Sequence, residues 1–70
     1  MSNLTENQQL EQLDLSVKTY NCLRRAGIHT IDSLIEMSEK KLLRKRGFGK
    51  VMLAEVIRKL ERNGFKLRED

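Results

Sequence analysis

Three times in this sequence a Ser or Thr stands directly before a short stretch with helical apolar spacing: Ser16, Thr30 and Ser38. Their hydroxyls can accept the amide protons left over at a helix start. Gly27 and Gly64 stand where two of the stretches must stop, each followed by an apolar residue, Ile28 and Phe65. A glycine there lets the backbone reverse and the next residue tuck back. Starts and stops this close together allow only short helices. Helices of one to three turns are not stable alone in water. Folding is therefore possible only by packing several of them around one shared core. There is no proline, and nowhere do β-branched and polar residues alternate, so strands are not expected.

The spacing predicts a short helix over roughly 6–13, with Thr5-Glu6-Asn7-Gln8 as a capping box. It predicts further helices over about 17–26, 31–37, 39–45 and 50–63. In the last, Leu53, Val56, Ile57 and Leu60 fall at intervals 0, 3, 4 and 7. The expected fold is all-α, a compact bundle of four to five short helices. Residues 1–9 are expected to form a flexible N-terminal segment and 10–68 a single helical domain. On the 17–26 helix, Tyr20 and Leu23, flanked by Val17 and Ala26, are expected to face the core. Lys18, Asn21, Cys22 and Arg25 are expected to face solvent.

With 70 residues there is room for one small domain. The sequence holds 14 Lys and Arg against 10 Asp and Glu. The first 17 residues carry Glu6, Glu11 and Asp14 and no base, so the cationic excess lies wholly beyond them. Lys40, Lys41, Arg44, Lys45, Arg46 and Lys50 form the densest run, with no acid from 40 to 54. Such a field attracts polyanions. The single Cys excludes an internal disulfide and a thiolate zinc site. No apolar run is long enough to span a bilayer, and no signal peptide is visible. A cytoplasmic, monomeric protein without a cofactor or metal is expected.

Catalytic constellations are weak. Asp32 and Glu36 form an i, i+4 carboxylate pair, as many solvated helices do. His29 lacks Cys, Asp or Ser at triad or metal spacing. Cys22 has Lys18 and Arg25 one turn away, yet a packing role suits a small thiol better than nucleophilic chemistry. No enzyme activity is expected. The turn Arg46-Gly47-Phe48-Gly49-Lys50 is more informative. It joins two helices, offers amides at a helix start, and carries Lys50 beside them. Two glycines let a phosphate approach the backbone while Phe48 plugs into the core. That arrangement is a helix-hairpin-helix type of turn. Val51 lies opposite the apolar stripe of its helix, with Glu55 on the same side and Met52 on the flank. Val51, Met52 and Glu55 are thus candidates for contact with a partner protein.

Leu13-Asp14-Leu15-Ser16-Val17-Lys18-Thr19-Tyr20-Asn21-Cys22-Leu23-Arg24-Arg25-Ala26-Gly27-Ile28 resembles the first helix of the C-terminal domain of the bacterial RNA polymerase α subunit. Leu43 through Gly49 and on to Glu55 is similar to that family's hairpin and following helix. The resemblance spans roughly residues 10–68. It implies a bundle of four short helices that binds the minor groove of A/T-rich DNA and touches transcription regulators. The family's groove-entering Arg falls at Lys18, its Asn and Cys at Asn21 and Cys22, and a following basic residue at Arg24. In the hairpin, the family's Asn is Gly47, its Gly is kept as Gly49, its Lys-Ser pair is Val51 and Met52, and its Glu is kept as Glu55. Together with the basic neighbours, the expected DNA-binding residues are Lys18, Asn21, Cys22, Arg24, Arg25, Arg46, Gly47, Gly49 and Lys50. A diverged, free-standing relative of the polymerase domain is expected, or equally a fragment of a longer protein. Two functions fit: a small transcriptional DNA-binding module, or a protein-interaction module of the same fold that binds RNA polymerase, a sigma factor or a regulator.

Overall fold

The structure is a computed structural model that describes residues 8–69. Among the described residues it is all-helical apart from one isolated antiparallel bridge, Gln9 to Thr30. A 3-10 turn, Leu10–Leu13, is followed by four α-helices: α1 Val17–Arg25, α2 Ile31–Ile35, α3 Glu39–Leu43 and α4 Lys50–Arg62. The bundle expected from the caps is therefore present. Of the helix expected over 6–13, the described part is the 3-10 turn Leu10–Leu13, and its proposed capping box falls largely outside the described residues. Gln8 and Gln9 are tied into the fold, since the Ile31 amide donates to the Gln8 carbonyl at 2.8 Å.

All three hydroxyl caps form. Ser16 accepts from the Thr19 amide, Thr30 from Ser33 and Ser38 from Lys41. Each satisfies a donor that the helix cannot, a contribution of about 1 kcal/mol per cap. α1 ends as the Gly27-Ile28 pair predicts. Gly27 takes φ +87°, and the Ile28 amide returns to the Leu23 carbonyl at 2.9 Å. α4 ends the same way, with the Phe65 amide on Leu60 at 2.9 Å. α2 and α3 are each two residues shorter than expected, because Glu36 and Arg44 already cap them in single turns.

One core holds these pieces together. Leu10 and Leu13 come from the 3-10 turn, Leu23 from α1, and Ile28 from the link. Ile31, Leu34 and Leu42 come from α2 and α3, Phe48 from the corner, and Leu53, Val56 and Leu60 from α4. Leu67 closes it from the C-terminal segment, which is anchored where the Arg68 amide donates to the Met37 carbonyl.

The inner face of α1 differs from expectation. Val17 is 75% exposed, whereas Thr19 and Cys22 are buried, Cys22 to 5%. Hydropathy alone ranks Val inside and Thr outside. Thr19 can go inside because its hydroxyl finds a carboxylate there, so its burial leaves no polar group unpaired. The helix is thereby rolled so that Thr19, Cys22 and Leu23 point inward, with Tyr20 half-buried beside them.

Leu60 is fully buried on α4. Leu60→Ala is expected to cost about 2–5 kcal/mol, a large part of the stability of so small a domain. Thermal unfolding followed by circular dichroism should show a large drop in Tm or no cooperative transition.

Candidate nucleic-acid interface

α1 is fastened to the corner and to α4 by a polar stripe at every third residue. Ser16 donates from its backbone N–H to Glu55 Oε2, and from its hydroxyl to Glu55 Oε1 at 3.0 Å. The Thr19 hydroxyl donates to the same Oε1 at 2.6 Å. Further along, the Cys22 thiol donates to the Arg46 carbonyl at 3.6 Å. Cys22 is thus not the solvent-facing residue expected from the helical wheel; it is a buried link whose sulfur packs against the corner. Lys18 and Arg25 stand one turn to either side of it on the same stripe. The link therefore places the exposed, basic edge of α1 beside residues 46 and 47. Asn21 is exposed on that edge as well.

The corner is built around Phe48, which is 5% exposed. Gly47 takes φ +80°, a left-handed conformation that costs other L-residues about 1–2 kcal/mol. This reversal sends Phe48 inward and turns the backbone into α4. Gly49 caps α4 with φ −113°, an ordinary extended value, and offers no side chain to the helix start. Nothing lies within 4 Å of the position a Cβ would take there. Neither backbone geometry nor internal packing demands a glycine at 49. The first helical bond of α4 runs from the Leu53 amide to the Gly49 carbonyl at 3.0 Å. The amides of Lys50, Val51 and Met52 precede it and carry the positive end of the helix dipole.

Among the described residues the one ion pair is Lys66–Glu69, on the exposed C-terminal segment. The cations of the α1 edge and the corner, Lys18, Arg25, Arg46 and Lys50, are exposed and stand in none. Arg24 is held differently. Its guanidinium lies 5.5 Å from the centre of the Tyr20 ring, and the Tyr20 hydroxyl donates to Glu11. That bond, with the Arg24 charge nearby, holds the Glu11 carboxyl below its ordinary range. Val51 is 85% exposed on the first turn of α4, and Met52 is half-buried beside it. Glu55, on the same side of α4, has both oxygens engaged by α1.

The structure thus links α1 to the corner through Cys22 and Arg46 and to α4 through Glu55, with Cys22 beneath the surface instead of on it, while Arg24 turns toward Tyr20. Nothing in the spacing pairs Ser16 and Thr19 with Glu55. The signal available is small hydroxyl residues at the inward positions of a helix that otherwise carries Leu and Cys there. The described residues include no group of three or more His, Cys, Asp or Glu able to hold a metal ion. No described helix is long and apolar enough to cross a membrane.

Residues 2–62 match the family of the C-terminal domain of the bacterial RNA polymerase alpha chain. The protein belongs to that family. It is 51% identical over 61 residues to the DNA-directed RNA polymerase subunit alpha of Desulforudis audaxviator, an alignment covering 87% of this sequence and 19% of that protein. It is 48% identical over 61 residues to the subunit of Desulforamulus reducens, with the same coverage. To that of Alkaliphilus oremlandii it is 51% identical over 59 residues, 84% of this sequence and 19% of the relative. The protein spans about a fifth of the length of these relatives. The all-helical fold is the one the resemblance implied.

The corner and Glu55 each lead to a measurable expectation. Gly47→Ala is expected to destabilise by about 1 kcal/mol through backbone strain, while Gly49→Ala, free of strain and clash, leaves the urea midpoint near that of the parent. For Glu55, burial opposes the charge. The Ser16 amide and the Thr19 and Ser16 hydroxyls, with Lys59 nearby, outweigh it and hold the carboxyl below its ordinary 4.5. A lowered folded-state value means the stabilisation is whole at neutral pH and is lost as pH falls below that range. Urea midpoints measured from pH 7 to pH 3 should decline at the acid end, and less steeply in Glu55→Gln.

Proposed function

We propose that this protein is a small non-catalytic DNA-binding module of transcription, which meets the minor groove with Lys18 and Asn21 and the phosphate backbone with its corner. The observation that carries this reading is Gly49. It is a glycine at an exposed helix start that the fold itself does not need, beside free amides and Lys50. A missing Cβ there serves something that approaches from outside, and a phosphate oxygen suits both the donors and the charge. Arg46 and Arg25 add to the field on either side, and Arg24, lying on Tyr20, presents its guanidinium at the rim. Cys22 and Gly47 act from beneath, by seating the corner. Family membership supports the reading, since the relatives are subunits of a DNA-directed polymerase.

Lysine at position 18 is a compact, strongly hydrated cation, a weaker groove residue than a planar guanidinium. The few phosphates within reach, roughly three to five, imply an affinity on the order of 10⁻⁴–10⁻⁶ M and a log–log salt slope of roughly −3 to −5. A preference for A/T-rich duplex is expected from a cation in a narrow groove.

A second reading rests on Val51. An apolar side chain 85% exposed beside Met52 is a contact suited to RNA polymerase, a sigma factor or a regulator. In that case Val51→Asp abolishes retention of the polymerase component and leaves DNA binding low throughout.

NMR titration with A/T-rich and G/C-rich duplexes at two salt concentrations separates the two. The DNA reading expects shifts clustered on residues 18–25 and 46–51, and Gly49→Ala weakening binding several-fold without loss of stability. No binding at low salt rejects it.

A further inference from the structure

Besides Val51, two large apolar side chains stand out in solvent among the described residues, Val17 and Leu43. Their surroundings are of opposite charge. Val17, with Leu15 and Tyr20, lines an open groove between the 3-10 turn and the start of α1. The remaining residues of that groove are acids, Glu11 and Asp14. The Tyr20 hydroxyl fastens Glu11 in place, and Arg24 lies against the Tyr20 ring. The Asp14 carboxylate has no partner among the described residues. Leu43 is 37% exposed on α3. Lys40 precedes it by three residues and Arg44 follows Lys40 by four, so the three share one side of the helix. Lys41 is exposed as well, and Glu39 is the one acid of α3. None of these three cations stands in an ion pair among the described residues, and the DNA contacts proposed above use none of them.

A leucine beside cations matches an apolar groove edged by carboxylates, in shape and in charge. The chain is segregated the same way: residues 1–17 hold acids and no base, and there is no acid from 40 to 54. No residue of α3 lines the groove, so in the folded protein the two can meet only between molecules. We propose that the Glu11–Asp14 groove receives α3 of a second copy of this protein, with Leu43 against Leu15 and Val17, and Lys40 and Arg44 toward the two acids. The contact joins unlike surfaces. Each added copy brings a new groove and a new α3, so the assembly is open-ended instead of a closed pair. So small and charged a contact gives a Kd on the order of 10⁻⁴–10⁻³ M at low salt, which leaves the protein monomeric at micromolar concentration. Salt screens it. The inference is independent of the DNA-binding reading.

The test is sedimentation equilibrium of the 70-residue protein from about 0.05 to about 2 mM, in low salt and in about 0.5 M salt. In low salt the average mass is expected to climb past that of two copies without levelling, and in high salt to return to that of one. Two variants locate the contact. One carries Asp14→Asn and Val17→Gln in the groove, where Asn accepts the left-handed conformation that Asp14 holds at φ +59°. The other carries Lys40→Glu and Arg44→Glu on α3. All four positions are exposed, and circular dichroism checks that both variants fold. Each variant alone is expected to associate about tenfold or more weakly than the parent. Mixed, the first supplies an intact α3 and the second an intact groove, so they form pairs and stop at two. Labelled with nitrogen-15 in turn, the groove variant should show NMR shifts on residues 40–44 and the α3 variant on residues 11–20.

A parent that stays monomeric at about 2 mM in low salt overturns the inference, also where its groove takes a basic partner protein instead. A mass that levels at two copies overturns it too, since that is a self-matched contact. So does association that survives in either variant alone, or a mixture that forms no pairs. The DNA-binding reading stands under every one of these results.

Discussion

Burial of Phe48 is the constraint from which the rest of the surface follows. The ring has to leave solvent at a point where the backbone reverses between two helices. Gly47 supplies the left-handed residue that lets it turn inward. With the ring fixed, the next residues have no freedom left: the backbone emerges at Gly49, and α4 starts with its amides at the surface. The Cys22 sulfur packs 3.8 Å from where a Cβ on Gly47 would lie, so the same turn also receives α1. Core packing and surface chemistry are two sides of one short loop, residues 46–50.

The bundle itself is made of pieces that could not exist apart. α2 and α3 have five residues each, far below the length at which a helix persists in water. Their order comes from Leu34 and Leu42 being fully buried, and from caps that settle where each turn begins. This makes the domain cooperative. It also means the functional edge inherits its rigidity from the core, since no long helix carries it.

Most of this architecture was legible in the residues. Ser16, Thr30 and Ser38 announce their helices because a cap is a local interaction, satisfied within three residues of itself. Gly27-Ile28 and Gly64-Phe65 are local for the same reason. The exception is α1, where the deciding partner is remote. Nothing near Thr19 in sequence says that Glu55, 36 residues away, will be waiting for its hydroxyl. Without that partner the periodicity favours Val17 inside and Cys22 outside, the reverse of what forms. The corner was legible as a motif, and Phe48 and Val51 went where their spacing sent them. The use of Glu55 was not, since an acid on a partly polar helix face looks like any solvated carboxylate.

Val51 gives the surface a particular temperament. Lys18, Arg25, Arg46 and Lys50 are exposed too, and the field of such charges acts over about 8–10 Å at moderate ionic strength. On the first turn of α4, next to the amides and Lys50, stands a hydrocarbon 85% open to water, which adds nothing to a polar grip. Long-range attraction governs how often a charged partner arrives, and short-range contacts govern how long it stays. Under the DNA-binding reading proposed above, charges that gather beside so small a grip make for frequent visits and brief ones. On that reading, occupancy at any one address follows local abundance more than tenacity.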